Sequence, residues 1–303
     1  MMSGQNKYDV IVLMSSYNGE KYIEEQIESI FKQENVKVKL IIRDDGSNDS
    51  SIEIINRLTN IYDIKLINGT NMGAKASFFE LIRICPKSKY VAFCDQDDFW
   101  KKDKLYTAVK KLEDYQTTPS MYFSNLCVVN ENLVGNKNMF NHLSSTNLGQ
   151  SLTYNTVVGC TLVINFPLLC IIKKSLSINP CCYHDQWISL VCSCVNGIKI
   201  VDNEPHILYR QHGSNCVGAE ENIIKKIKKS SFFAGKNFRS QIAKQLDDCL
   251  GDLVKADNKE VLNIVLSYKS SLTCKFKLIF SGYNNNGFFS KLTFIVTVLL
   301  NLY

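Results

Sequence analysis

The chain has 303 residues, 45% hydrophobic and 21% charged with a net charge of +6, which gives enough apolar material for a sizeable core and too little net charge for a disordered polymer. The positive excess is confined to the tail: residues 221–303 carry 13 Lys and Arg against 6 Asp and Glu, which reads as a segment facing anionic lipid or a phosphorylated substrate, or else as a solvated basic helix face. Twelve cysteines without one CxxC pair exclude a zinc framework of ordinary spacing, and those inside apolar runs (Cys94, Cys127, Cys160, Cys192) read as small hydrophobes in a reducing compartment.

No apolar stretch of a secretory signal opens the chain. Tyr8–Met14 is a short apolar run that predicts a buried strand. Glu20–Gln33 places Ile23, Ile27, Ile30 and Phe31 on one helical face. Val38–Arg43 predicts a second strand. Ser47–Leu58 predicts a helix capped by Ser47 or Asp49. A third strand follows at Ile64–Ile67, a helix at Ala74–Ile84 and a fourth strand at Tyr90–Cys94. This alternation implies an α/β fold, a mostly parallel sheet covered on both faces. After Trp100 come a helix at Asp103–Tyr115, a strand at Met121–Val129, loops over 130–155 and a strand at Thr156–Asn165. A helix at His184–Asn196 is stopped by Gly197, and strands at Ile198–Val201 and His206–Tyr209 close the series. The expected division is 1–220 for this α/β domain and 221–303 for a basic helical extension. The chain's end carries about 12 uninterrupted apolar residues, against roughly 20 needed to span a bilayer. A helix there would gather Phe288, Leu292, Ile295, Val296, Leu299 and Tyr303. It would either lie in a membrane surface, helped by the cluster Lys225, Lys226, Lys228 and Lys229, or pack on the domain as core.

Ligands of open parallel sheets sit at the carboxyl ends of the strands. Here those ends read Ser15-Ser16-Tyr17-Asn18-Gly19, Asp44-Asp45-Gly46-Ser47 and Asp95-Gln96-Asp97-Asp98-Phe99-Trp100. Five carboxylates at one edge repel one another unless a cation shares them, and a hard divalent ion completed by substrate phosphates fits. The sequence SSYNGEKY replaces the GxGxxG of a dinucleotide fold, and Gly69–Lys75 has the wrong spacing for a P-loop. A calcium loop starting at Asp95 would need Gly and Glu where Trp100 and Tyr106 stand. A two-metal hydrolase stays open on these residues alone.

The ordered series SSYNGEKYI, DDGSND, NMGAKASF, DQDDFW, HDQW and YRQHGSN resembles family 2 glycosyltransferases of GT-A fold, and within them the bacterial rhamnosyltransferase-like enzymes of surface-polysaccharide synthesis. The resemblance spans about residues 8–216. It implies that Tyr17 and Asn18 flank a nucleotide base and that Asp44, or Asp45 as second choice, accepts from a pyrimidine N3–H. It implies Asp95 near the ribose and the metal, Asp97 as ligand of Mg²⁺ or Mn²⁺ with Asp98 behind it, and His212 as a further ligand. Arg210 and Gln211 would meet the diphosphate, or pack as a loop against it. Lys75 would reach the diphosphate or stay solvated, and Trp100 would wall the sugar pocket or join the core. Asp185 would be the general base that takes the acceptor proton, favoured as an anion by its helix start, while His184 beside it would orient it or be structural. The implied reaction is inverting transfer of a hexosyl or deoxyhexosyl group, rhamnosyl foremost, from a dTDP- or UDP-sugar. The acceptor would be a lipid-linked glycan precursor at the cytoplasmic membrane face, where the enzyme would sit peripherally; no nucleic acid partner is implied. A sugar nucleotidyltransferase would want a Gly-rich basic loop that SSYNGEKY does not supply. A catalytically inactive nucleotide-sugar-binding module is disfavoured by Asp95, Asp97 and Asp185.

Overall fold

The apolar runs at the start of the chain become four parallel strands, β1 (Val10–Ser16), β2 (Val38–Asp44), β3 (Ile64–Asn68) and β4 (Tyr90–Cys94), in a computed structural model that describes residues 9–213, 237–284 and 288–303. Helices α1 (Ile23–Phe31), α2 (Ser51–Leu58) and α3 (Gly73–Ile84) connect them. Side chains alternate along each strand. Val10, Val12 and Met14 therefore meet α1 and its neighbours on one face, while Ile11 and Leu13 meet Phe78, Leu81 and Ile82 of α3 on the other.

The sheet continues with β5 (Phe99–Trp100), β6 (Ser120–Val129), β7 (Lys137–Asn138), β8 (Val163–Asn165) and β9 (Ile198–Arg210) in the order β3-β2-β1-β4-β8-β6-β9-β5, with β7 beside β6. β8 is antiparallel to both β4 and β6, so β6 again runs with β4. β9 is parallel to β6. The carboxyl ends of β1, β2, β4 and β9 thus reach one edge, which is how Arg210–His212 arrives beside Asp95–Asp98. The further helices are α4 (Lys104–Leu112), α5 (Leu148–Thr153), α6 (Phe166–Ser175), α7 (His184–Cys194), α8 (Phe238–Leu250), α9 (Ala256–Ser267), α10 (Leu272–Phe280) and α11 (Phe288–Leu299). Ile242, Leu246, Leu262, Val265 and Leu278 of α8–α10 share one apolar cluster with Phe93, Leu190 and Val191, so the C-terminal helices complete the cover of one sheet face. The expected boundary at 220/221 lies outside the described residues, as does the Lys225–Lys229 cluster.

Several local expectations change. The strand expected at Thr156–Asn165 shortens to Val163–Asn165, because Thr161 N–H and Oγ both bond the Val158 carbonyl and make a 3₁₀ turn over Gly159–Thr161. The loop 130–155 holds β7 and α5, the latter with an Asn147–Gln150 capping box. Helix α6 was signalled by Asn165 as N-cap followed by Pro167. Asn196, at φ 53°, ends α7. Gly197 is needed for room instead, since a Cβ there would stand 2.7 Å from Cys192 Sγ and Pro119 O. The N-cap of α2 is Ser50, not Ser47 or Asp49. Asp49 accepts from Ser51, and Ser47 turns to Asp44. The apolar face expected of the last helix is divided: Phe294, Val298 and Tyr303 are buried, whereas Leu292, Val296 and Leu299 are exposed. The Phe288 side chain lies outside the described residues. The described cysteines are all free.

Candidate active site

The end of β4 supplies the acidic centre. Asp97 Oδ2 lies 2.8 Å from His212 Nε2, and the His212 ring leans on Tyr22 with centroids 4.9 Å apart. Two expected metal ligands separated by 115 residues thus converge. Asp95 sits between charges: burial, then the carboxylates of Asp97 and Asp185, push its pKa up to about 7. A divalent cation would relieve that repulsion, and carboxylate and imidazole groups are donors it accepts, so Asp95, Asp97 and His212 are the residues that would hold such an ion. Asp98 points the other way and is fully buried. It accepts from the Cys160 thiol and, at 3.4 Å, from Arg210 N–H, and burial holds its carboxyl well above the usual range. Asp95, Asp98 and Cys160 offer ligand atoms within 4.8 Å of one another. Burial keeps that thiol protonated, however, and a protonated thiol is a poor donor to a hard ion.

Arg210 braces this centre. Its Nε donates to the Asp97 carbonyl at 2.9 Å, and its other nitrogens donate to the Glu25 carboxylate and the Glu131 carbonyl. The guanidinium lies 4.5 Å from the Tyr22 ring centroid. Gln211 holds the strand end through its backbone N–H on Val129 O, and its buried Oε1 has no partner among the described residues.

The ends of β1 and β2 form the loops beside this centre. Tyr17 is 43% exposed and available to stack on a base. Asn18, at φ 48°, donates from its backbone to Ser47 Oγ and accepts from Asn48 N–H, joining the two loops. Asp44 has no exposed surface, and its oxygens accept from Gly46 N, Ser47 N and Ser47 Oγ, so it folds this loop. Asp45 is also turned inward. It pairs with the buried Arg43 guanidinium and accepts from Met72 N and Gly73 N at the start of α3. Lys75 stands over the loop before α7, its Nζ 3.5 Å from the Pro180 carbonyl. Trp100 is corrected from pocket wall to core: pairing of β5 with β9 turns the ring inward, 1% exposed, beneath the buried Lys104 ammonium at 3.7 Å.

The start of α7 brings Asp185 within electrostatic reach of Asp95. Asp185 Oδ1 accepts from Gln186 N–H at 2.7 Å, and Asn155 also donates to the carboxylate. Burial outweighs these donors and lifts the Asp185 pKa to about 6, so the helix start does not hold it low. His184 is not the orienter expected. Its ring stacks on Phe78 at 4.0 Å, neither nitrogen has a hydrogen-bond partner among the described residues, and burial depresses its pKa to about 3. Trp187 is core, with Nε1 on Ser175 Oγ. The sequence reading passed over Gln96, Tyr22, Glu25, Asn155 and Cys160. Only Gln96 carried a signal, its place inside Asp95-Gln96-Asp97.

This geometry defines a class first: an α/β nucleotide-sugar-binding domain of GT-A fold, with an acidic edge on the donor side and a carboxylate at a facing helix start. The chain belongs to glycosyl transferase family 2, whose profile, Glycosyl transferase family 2, matches residues 11–168. The dTDP-rhamnosyl transferase RfbG of Shigella flexneri is 31% identical over 242 residues, 76% of this chain and 82% of the relative. WfaP of Escherichia coli, a UDP-Glc:α-D-GlcNAc-diphosphoundecaprenol β-1,3-glucosyltransferase, is 26% identical over 158 residues, 52% of this chain and 60% of the relative. Among solved structures, S. aureus TarS 1–349 in complex with UDP-GlcNAc has a TM-score of 0.56 at 16% identity, covering 97% of this chain and 82% of that one, and so shares the fold.

Proposed function

We propose that this glycosyltransferase moves a rhamnosyl or related hexosyl group from a dTDP- or UDP-sugar to a hydroxyl of a lipid-linked glycan precursor, with inversion at the anomeric carbon. The observation that carries the reading is the meeting of Asp97 with His212 at one sheet edge, beside Asp95, which is within electrostatic reach of both Asp97 and Asp185 on a separate helix. The likeness to the dTDP-rhamnosyl transferase of S. flexneri supports the donor, and the diphosphoundecaprenol acceptor named for the E. coli relative supports the acceptor.

Tyr17 and Asn18 receive the base, with Asp44 shaping their loop. Asp97, Asp95 and His212 would hold Mg²⁺ or Mn²⁺, whose charge, when bound, neutralises the donor diphosphate. Arg210 fixes the Asp97 backbone, and Gln211 and Lys75 face the diphosphate side. Asp185 accepts the proton of the acceptor hydroxyl as that oxygen bonds the anomeric carbon. The bond from that carbon to the phosphate oxygen breaks on the opposite face, and the nucleoside diphosphate leaves with the electron pair. An acceptor borne by lipid places the enzyme peripherally at the cytoplasmic membrane face.

The test follows nucleoside diphosphate release from dTDP-rhamnose and from UDP-sugars with an acceptor present. Asp185→Asn should lower turnover at least about 100-fold while dTDP or UDP binding is kept. The parent rate should fall as pH drops through about 6, where the base becomes protonated. Normal turnover by the variant would move the base elsewhere.

A further inference from the structure

The C-terminal helices carry apolar side chains that the fold does not use. Helix α10 turns Leu278 into the core and leaves Leu272, Phe276 and Phe280, one turn apart along one face, 73%, 58% and 81% exposed. Helix α11, packed against α10, buries Phe294 and Val298 and leaves Leu292, Val296, Leu299 and the following Leu300 between 44% and 62% exposed. Exposed apolar side chains gathered this way mark an interaction surface. Its charge is one-sided: residues 261–303 contain Lys269, Lys275, Lys277 and Lys291 and no Asp or Glu. Lys277 is engaged by Glu260 of α9, while Lys275 and Lys291 lie within the two apolar helices.

We propose that this two-helix face docks on an anionic bilayer, with the Leu and Phe side chains entering the headgroup boundary and Lys275 and Lys291 meeting lipid phosphates. The helices have 9 and 12 residues, and no helix among the described residues is long and apolar enough to cross a membrane, so the face lies in the surface rather than spanning it. A symmetric dimer through the same patch would set lysine against lysine with no acidic residue in either helix to answer it, Glu260 of α9 being engaged by Lys277, whereas anionic headgroups complement it. The face is also joined to the acceptor side of the site. Tyr303 Oη bonds Thr153 of α5 at 2.8 Å, Tyr283 packs where Gly149 of α5 leaves room, and two residues beyond Thr153, Asn155 donates to Asp185. The assignment rests on the reading of a lipid-borne acceptor, but its test is read without sugar transfer, so either can fail alone.

Deleting 288–303 would remove the buried Phe294, Val298 and Tyr303, so the test uses point variants of the full chain. The parent protein should co-sediment with phosphatidylglycerol-rich vesicles at low salt, at least tenfold more than with phosphatidylcholine vesicles, and release as salt rises. Phe276→Glu with Phe280→Glu, both at exposed positions, should cut partitioning at least tenfold with an unchanged thermal midpoint. Lys275→Glu with Lys291→Glu should abolish the preference for anionic vesicles. A parent that stays in the supernatant at low salt overturns the proposal. So does a Phe-pair variant that sediments like the parent, or a parent dimer that this pair dissolves without any vesicle binding.

Discussion

Gln96, between the two aspartates of the acidic centre, acts on the opposite loop. Its Oε1 accepts from Tyr17 N–H at 2.8 Å and its Nε2 donates to the Tyr17 carbonyl at 3.0 Å. The amide can lie so close only because Gly19 has no side chain, since a Cβ there would stand 2.5 Å from Gln96 Oε1. Gln96 therefore holds the backbone of Tyr17, the residue proposed to meet the base, in place from the opposite loop. Each neutral hydrogen bond is worth about 1 kcal/mol net, and a tenfold change in affinity corresponds to about 1.4 kcal/mol. Gln96→Ala should raise donor KM about tenfold and leave kcat within a few-fold, and Gly19→Ala should do the same by displacing the amide. Steady-state kinetics in donor concentration checks this; a fall in kcat at constant KM would contradict a positioning role.

At the scale of elements, Asp45 sets how β2 meets α3. Helix α3 begins at Gly73, φ 80°, after Met72, which has no capping side chain of its own. Asp45 supplies the missing acceptor to Met72 N at 3.0 Å and Gly73 N at 2.7 Å, and the Arg43 guanidinium beside it balances the charge. Removing one partner of so buried a pair leaves the other charge uncompensated, at a cost of about 3–5 kcal/mol. Asp45→Ala should lose that much in urea unfolding, and activity should fall only in step with the folded fraction. A fully stable Asp45→Ala that no longer binds donor would return Asp45 to the base-binding role expected from the sequence.

For the whole molecule, metal and stability should be linked. Asp95, Asp97 and Asp185 crowd one edge, and burial with mutual repulsion raises Asp95. Any ion that binds the folded chain alone stabilises it by about 2.7 kcal/mol at 100 times its Kd. Mn²⁺ or Mg²⁺ should therefore raise the thermal midpoint by several degrees, and EDTA should reverse the rise and abolish transfer. Asp97→Asn should erase the response and leave the metal-free midpoint unchanged or slightly higher, since one repelling charge is gone. A parent protein whose midpoint ignores both ions would refute the site at Asp97 and His212.

The sequence by itself determined the strand and helix alternation through residue 94, the polar character of the strand ends, and the helix start that carries Asp185. All of these are set by spacings of two to four residues, which neighbours along the chain enforce. Only the tertiary structure decided which polar side chains face the edge. Asp97 and Asp98 are adjacent, yet the bend between β4 and β5 sends one to His212 and the other into the interior against Cys160. Asp44 and Asp45 read as surface acceptors, but the loop and α3 claim their oxygens. Trp100 became core, and the apolar face of the last helix was divided, because β9 and α8–α10 come back across the sheet from far along the chain. The partners that settled these roles lie 115 residues from Asp97 and 185 from Glu25. Periodicity records which face of an element is apolar, whereas the neighbour that covers that face is chosen by the packing of the complete sheet.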